Sequence, residues 1–129
     1  MPALTLVVHD EDLAVVRLAP DATVPPWLPT TGFTTVSRTA AELSIVCASA
    51  AVPQDAGLIA EPGWITLELV GPFEFTLTGI LASVLVPLAD AAVGIFAIST
   101  YDTDYVLVKA TQRTEAIAAL RTAGHTVEA

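Results

Sequence analysis

The stretch GILASVLVPLADAAVGIFAISTYDTDYVLVK, residues 79–109, decides the fold. Apolar residues recur at helical spacing from Ile80 to Leu88, and Thr78 precedes them as a candidate N-cap. Two short apolar runs, 95–98 and 105–108, then flank the polar turn 99–104. The order predicts a helix followed by a β-hairpin, and both strands are expected to be largely buried because neither has a polar face.

The flanking sequence extends this pattern on both sides. A strand is predicted at 64–70, a second helix at 111–123 with Gly124 as its C-terminal stop, and a final edge strand at 126–128. The order β, α, β, β, α, β is typical of the ferredoxin-like arrangement, an antiparallel four-stranded sheet with two helices on one face. The predicted fold class is therefore α+β.

The first half shows similar strands without comparable helices. Four short strands are predicted there, at 4–8, 13–18, 33–37 and 43–47. The polar residues 9–12 are expected to form a turn between the first two strands. A proline-rich crossover at 20–29, with Trp27 as a core plug, and a loop at 53–63 take the place of helices. We therefore predict an abbreviated N-terminal unit, 1–60, followed by a complete C-terminal unit, 61–129.

An internal match supports a tandem of related units. Shifting the chain by 62 positions places FTTVSRTAAELSIVCA (33–48) on IFAISTYDTDYVLVKA (95–110), so that Leu43 lies on Tyr105. The hairpins have matched turn lengths, although few residues are identical, so a chance match is the alternative interpretation.

Composition and charge narrow the class of protein. The chain has 129 residues, 53% of them apolar, and a net charge of −9 from 14 acidic and 5 basic residues. The bases are scattered and form no stripe for phosphates, so we expect no nucleic-acid partner. Pro87 and Asp90 interrupt the apolar stretch 79–98, so we expect no membrane helix. No signal peptide is apparent and the single Cys47 allows no intramolecular disulfide, which favours a cytoplasmic location.

Catalytic machinery is not apparent in the sequence. Asp102 and Asp104 are two carboxylates with no third ligand nearby, which disfavours a metal site. His9 and His125 lie at predicted turns without a neighbouring nucleophile, so we expect them to be solvated. Ser83 is interpreted as a packing residue inside the helix. We therefore expect no enzyme activity, no metal and no cofactor, with a ferredoxin-like enzyme as the weakest alternative.

The arrangement around residues 79–95 resembles that of ACT domains. Gly79 opens the helix, an apolar helix follows at 80–92, and the small turn Val93-Gly94-Ile95 leads into a strand. Features that resemble the short tandem-ACT proteins related to the CASTOR arginine sensors are Pro26-Trp27, Arg38-Thr39, Glu42-Leu43-Ser44, Gly63-Trp64, Ser99-Thr100 and Asp102-Thr103-Asp104-Tyr105. Gly94 departs from the asparagine that many amino-acid-binding ACT domains carry, so that ligand contact is not carried over.

The resemblance implies a regulatory protein that binds an amino acid between paired ACT units, without catalysis and as a homodimer. The helix start would hold the ligand carboxylate, and Asp102 or Asp104 would accept its ammonium group. The predicted ligand-binding residues are Thr78, Gly79, Ile80, Ser99, Thr100, Asp102, Thr103 and Asp104. Two alternatives stay open: these are ordinary turn residues, or the protein is a ligand-free assembly module that pairs subunits through its sheet edges.

Overall fold

A computed structural model describes residues 2–55 and 57–129. Within this part of the chain, seven strands, two α-helices and two 3₁₀ segments are formed. In chain order they are β1 (Thr5–Leu18), β2 (Thr35–Arg38), β3 (Leu43–Ala48), a 3₁₀ segment (Ser49–Ala51), β4 (Ile59–Leu69), α1 (Ile80–Asp90), β5 (Ile95–Ser99), β6 (Asp104–Lys109), a 3₁₀ segment (Ala110–Gln112), α2 (Arg113–Thr122) and β7 (Thr126–Glu128).

The chain divides into two compact units. The larger unit comprises Met1–Asp10 and Ile65–Ala129, and the smaller unit comprises Glu11–Trp64. This division differs from the predicted boundary between 1–60 and 61–129, because the start of the chain groups with the later half. Its strand is part of that unit's sheet, in which Thr5 to Val7 pair in parallel with Thr126 to Glu128.

The larger unit has the predicted ferredoxin-like architecture with one strand added. Its strand order is β7, β1, β4, β6, β5, so the start of β1 lies between β7 and β4. β5 and β6 pair antiparallel. The two helices contribute Val84, Leu88, Ile117 and Leu120 to the same core that receives Leu6 of β1. The fold class α+β, with a largely antiparallel sheet and two helices, is confirmed.

The smaller unit is a sheet without α-helices among its described residues, 11–55 and 57–64. The second half of β1 pairs antiparallel with β3, and β2 pairs antiparallel with β3. Its buried core is formed by Ala14, Val16, Leu43, Ile45 and Cys47. The partly buried Trp27 packs against this core, as the proline-rich crossover carries it there.

Two local predictions are wrong because strands continue through polar residues. Residues 9–12 form no turn, since β1 runs without a break from Thr5 to Leu18. Its acids are accommodated by partners: Asp10 pairs with Arg113, and Asp12 accepts hydrogen bonds from the Ser49 hydroxyl and from the Gly63 N–H (3.2 Å). β4 likewise begins at Ile59, inside the predicted loop.

The two hairpins correspond in a register that differs by one position from the predicted one. Leu43, the first residue of β3, corresponds to Asp104, the first residue of β6, and not to Tyr105. The pairing agrees, since Arg38 pairs with Leu43 in the first hairpin and Ser99 pairs with Asp104 in the second. The sequence match was off by one position because it compared side-chain types, whereas hydrogen-bond register decides which positions correspond.

Candidate functional site

The turn between β5 and β6 uses many of its polar groups to close itself. The Thr100 N–H and hydroxyl both donate to the Thr103 carbonyl, at 2.8 and 3.1 Å. The Ser99 hydroxyl donates to Asp104 Oδ1, and the Thr103 hydroxyl donates to the Leu69 carbonyl at 2.6 Å. The hydroxyls of Ser99, Thr100 and Thr103 therefore act as those of ordinary turn residues, because each one donates a hydrogen bond to a protein oxygen.

The start of α1 depends on a glycine. Gly79 has φ 80°, a left-handed conformation that side chains with a Cβ rarely adopt, and it occupies the N-cap position. The predicted N-cap, Thr78, is therefore displaced by one position, and no side chain caps this helix. The first N–H groups of an α-helix have no partner within the helix, so this end carries a partial positive charge.

A cleft of about 200 Å³ joins the helix start to the hairpin turn. Six of the eight predicted ligand residues line it: Ile80, Ser99, Thr100, Asp102, Thr103 and Asp104. Thr78 and Gly79 precede Ile80 in the chain but are not part of the lining. The volume is below the ~300–1,000 Å³ of sites for drug-sized molecules, which suits a small metabolite.

The loop between β4 and α1 supplies the rest of the lining, which sequence reasoning missed. Phe73, Glu74, Phe75 and Leu77 belong to it. The Phe73 N–H donates to the Asp102 carbonyl at 2.8 Å and so fixes this loop against the turn. Residues 71–78 follow neither a helical nor a strand period, and only the F-E-F pattern at 73–75 gave a signal that this loop is apolar.

Two aromatic rings from these segments meet in solvent. Phe75 and Tyr101 are 74% and 80% exposed. Their centroids are 4.9 Å apart with an interplanar angle of 76°, an edge-to-face contact. The β5–β6 turn and the loop before α1 therefore present an exposed aromatic pair.

The electrostatic environment of the cleft is negative. Glu74, Asp102 and Asp104 line it, and none of its described lining residues is Arg, Lys or His. The pKa of the neighbouring Tyr105 is raised, first by desolvation and then by the charges of Glu68 and Asp102. A cationic group is therefore the favoured occupant on electrostatic grounds.

His125 is buried, so its predicted solvation is wrong. It is 6% exposed; its Nδ1 accepts the Leu4 N–H at 3.0 Å and its Nε2 lies 2.7 Å from the Ser83 carbonyl oxygen. These contacts require a neutral ring with its proton on Nε2. The Ser83 hydroxyl donates to the Ile80 carbonyl, not to the imidazole, so the two residues form no nucleophile–base pair.

His9 differs from His125 because it lies at the surface. Its side chain is exposed, as expected, and its Nε2 lies 2.7 Å from a Glu68 carboxylate oxygen. This contact occupies the ring nitrogen that would otherwise be open to solvent.

Other possible sites are sparse in the described residues. No group of three or more His, Cys, Asp or Glu side chains there is arranged to hold a metal ion. Cys47 is buried, and desolvation raises its pKa, which makes the thiol a poor nucleophile. A second cleft of about 390 Å³ lies in the smaller unit, with Ser49, Gln54 and Asp55 as its polar lining. None of the described helices is long and apolar enough to cross a membrane.

Two family models match the chain, one in each half. A family model described as an ACT domain matches residues 59–122. A second model, described as the N-terminal domain of a group of similar proteins, matches residues 11–55. No curated protein sequence matches the chain.

Several solved structures are similar. Protein Atu0741 from Agobacterium tumefaciens is 36% identical, with 98% of this chain and 93% of that one covered and a TM-score of 0.91. A Vibrio cholerae protein of unknown function, VC0802, described as a possible transport protein, is 18% identical over 94% of this chain and 90% of its own, with a TM-score of 0.74. The ligand-free regulatory subunit of aspartate kinase from Thermus thermophilus is 14% identical over 95% of this chain and 99% of its own, with a TM-score of 0.65. At these last two identities the likeness shows the fold alone.

Proposed function

Because residues 59–122 form an ACT domain and the whole chain belongs to the family of Atu0741 from Agobacterium tumefaciens, we propose that this protein is a non-catalytic regulator that binds an amino acid. ACT domains are regulatory ligand-binding modules. What we add is the kind of ligand, an amino acid.

The cleft between α1 and the β5–β6 turn is the observation that carries this proposal. It combines two charges that an amino acid needs within a short distance: the positive N-terminal end of α1 for the carboxylate, and an acidic turn for the ammonium group. Asp102 is best suited to the ammonium group. Its exposed carboxylate accepts no hydrogen bond from the described residues, whereas Asp104 is engaged by Ser99.

The remaining predicted residues have supporting roles in this proposal. Thr78 and Gly79 give the backbone its course into α1, and Ile80 presents the first helical N–H. Ser99, Thr100 and Thr103 hold the turn in shape, so that Asp102 and Asp104 face the cleft from a fixed frame. No Ser–His or Cys–His pair lies among the described lining residues, which favours binding without chemistry.

We further propose that the protein acts as a homodimer in the cytoplasm and that its ligand site is completed by an apposed copy. β5 ends the strand order in the larger unit, and Ile95 on this strand is 37% exposed. An edge strand offers N–H and C=O groups to a second chain. Ligand binding at such a junction would change the balance between two packings, and a protein partner would respond to that change.

A thermal-shift screen against the twenty amino acids tests the function. A ligand at 100 times its dissociation constant adds about 2.7 kcal/mol to the free energy of unfolding, so a clear rise in Tm is expected for at least one amino acid. The matched variants are Asp102→Ala, which should abolish the shift, and Glu42→Gln, which removes the acid from the turn of the other hairpin and should leave the shift intact. No shift with any amino acid at millimolar concentration would contradict the proposal.

The edge of β5 also favours a second candidate, a ligand-free assembly module. Sedimentation velocity separates the two functions. A stable dimer that binds none of the twenty amino acids would favour the assembly role alone. A monomer at micromolar concentration would contradict both the assembly role and a ligand site between two copies.

A further inference from the structure

We infer that the cleft selects a ligand with an organic cation that carries apolar surface, either a guanidinium or an alkylated ammonium, and that this cation lies against Phe75 and Tyr101. The inference rests on the proposed function, because it assumes that the cleft binds a small molecule, and it adds the chemical class of the group that is recognised.

The exposed aromatic pair is the first observation. Single apolar residues are common on protein surfaces. Here two large exposed rings are in mutual contact and form an apolar patch, and Leu77, which is 51% exposed, lines the same cleft. The rings come from two segments that the Phe73 N–H to Asp102 carbonyl bond holds together. The patch is thus a fixed feature of the cleft.

The corresponding turn in the smaller unit shows that the fold does not require Tyr101 and Asp102. In the register set by strand pairing, Tyr101 and Asp102 correspond to Ala40 and Ala41. The hairpin closes in the same way with two alanines, so neither the ring nor the carboxylate is needed for the turn. Both side chains are therefore available for a role other than closing the turn.

The charge of the cleft indicates the sign of the occupant. Three carboxylates and the two aromatic rings line a site whose described lining has no cationic side chain, and the face of an aromatic ring is electrostatically negative. An anionic side chain would be repelled there. A cation satisfies both the carboxylates and the rings.

The apolar rings indicate the kind of cation. A bare metal ion such as Ca²⁺ takes about six to eight oxygen ligands, and no suitable group of side chains is found among the described residues. A guanidinium or an alkylated ammonium is weakly hydrated and presents carbon or a π-surface together with its charge, which suits an aromatic face.

Titration calorimetry with shape-matched ligand pairs tests this. The pairs are arginine with citrulline and choline with 3,3-dimethylbutan-1-ol; in each pair the shape is similar, and the second member has a neutral group in place of the guanidinium or the trimethylammonium. At least one cation is expected to bind at least about five times more tightly than its neutral partner, since charge-assisted contacts are about twice as strong as neutral ones. Raising the salt concentration should reduce this preference.

Variants separate the roles of the ring and the charge. Tyr101→Leu is expected to weaken cation binding about two- to fivefold, while Tyr101→Phe keeps the affinity because it keeps the ring. Glu74→Gln should weaken binding of the cation but not of the neutral partner, and Glu42→Gln is the charge control in the other turn. Tyr101 and Glu74 are exposed and Glu42 is half-buried, and circular dichroism should show an unchanged fold for each variant.

Each outcome decides between the two proposals. If an amino acid binds but citrulline matches arginine and Tyr101→Leu changes nothing, the cation inference is overturned and the proposed function stands. If choline binds and no amino acid does, the cation inference stands and the amino-acid function fails. If neither arginine, choline nor any other amino acid binds, both are overturned.

Discussion

The turns of the two hairpins are closed by the same hydrogen bonds and have different surfaces. In the smaller unit the Thr39 N–H donates to the Glu42 carbonyl at 2.9 Å; in the larger unit the Thr100 N–H donates to the Thr103 carbonyl at 2.8 Å. Both threonine hydroxyls also accept the N–H of the residue that closes the turn, at 3.2 and 3.4 Å. The same backbone scaffold thus occurs once in each unit.

The side chains around each scaffold explain why only one turn is a candidate site. The Arg17 and Arg38 guanidinium groups donate to the carbonyls of Ala41 and Pro20, so the basic side chains near the first turn are engaged by nearby backbone. The second turn leaves an aromatic ring and a carboxylate in solvent. The turn geometry is thus common to both hairpins, and the two central positions of the turn determine which side chains are exposed to solvent.

The largest effect is expected from the inner strand of each hairpin. Ile45 and Val106 occupy corresponding positions, each is 0% exposed, and they belong to the cores of the smaller and the larger unit. Ile45→Ala should lower the free energy of unfolding by about 2–5 kcal/mol. Val106→Ala removes two methyl groups instead of three carbons and should cost about two thirds as much. Urea denaturation followed by circular dichroism measures both.

A small loss in either variant would change the comparison of the two hairpins. A value below about 1 kcal/mol would be typical of a surface position and not of a core position. The strand concerned would then contribute little to its core, and the equivalence of the two hairpins would be confined to their turns.

The next effect concerns the part of the larger unit that has no counterpart in the smaller one. After the second hairpin the chain forms α2 and β7, and His125 connects them to Leu4 and Ser83 through both ring nitrogens. His125→Phe keeps a buried ring but leaves an N–H and a carbonyl unpaired, which should cost about 1–3 kcal/mol for each of the two groups. Urea denaturation measures the loss.

The control is His9→Gln, because His9 is exposed and its contact with Glu68 lies at the surface. This variant should change the free energy of unfolding by less than about 0.5 kcal/mol. Equal effects of the two variants would contradict the structural role of His125.

Features that depend on neighbouring residues could be predicted from the sequence, whereas features that depend on contacts between distant residues could not. Helix α1, the β5–β6 hairpin and the ferredoxin-like order follow from local periodicity, and the structure confirms them. The burial of His125 was not predictable, because its partners, Leu4 and Ser83, are distant in the chain. The continuous strand β1 was also missed, since the polar run 9–12 reads as a turn unless its distant partners are known to lie beside it.

The same holds for the candidate site. The acidic turn and the helix start are visible in the sequence because turn residues and a helix-opening glycine are local signals. Phe75 and Tyr101 were not assigned, because their contact joins two separate segments and neither residue lies in a periodic element. The correct register between the hairpins likewise needed the pairing of strands, which no single-residue pattern encodes.

A smaller effect is expected from the hydroxyl that anchors the second turn. The Thr103 hydroxyl donates to the Leu69 carbonyl at 2.6 Å, whereas the corresponding Glu42 makes no side-chain hydrogen bond with the described residues. Thr103→Val should therefore lower the free energy of unfolding by about 1 kcal/mol, and Glu42→Val should leave it nearly unchanged. If both variants behave alike in urea denaturation, the second turn is no more firmly anchored than the first.

The smallest effect is electrostatic and separates two acids of β1 that lie on one face of the strand. Asp10 pairs with Arg113 of the larger unit, at 2.7 and 3.1 Å, and Asp12 bonds within the smaller unit. The hydrogen bond from Arg113 holds the pKa of Asp10 below its usual value. A carboxyl group whose pKa is lower in the folded state stabilises the fold above its unfolded pKa, about 3.9, and loses this contribution as the pH falls through the folded pKa.

Asp10→Asn should therefore lower Tm slightly at about pH 6 and by less at about pH 2, because the contribution of the charged carboxyl group diminishes as the pH falls through its folded pKa. The difference at about pH 6 should shrink with added salt because the pair is exposed. An equal Tm loss at both pH values would show that Asp10 acts through packing, and that the larger unit gains nothing from this pair.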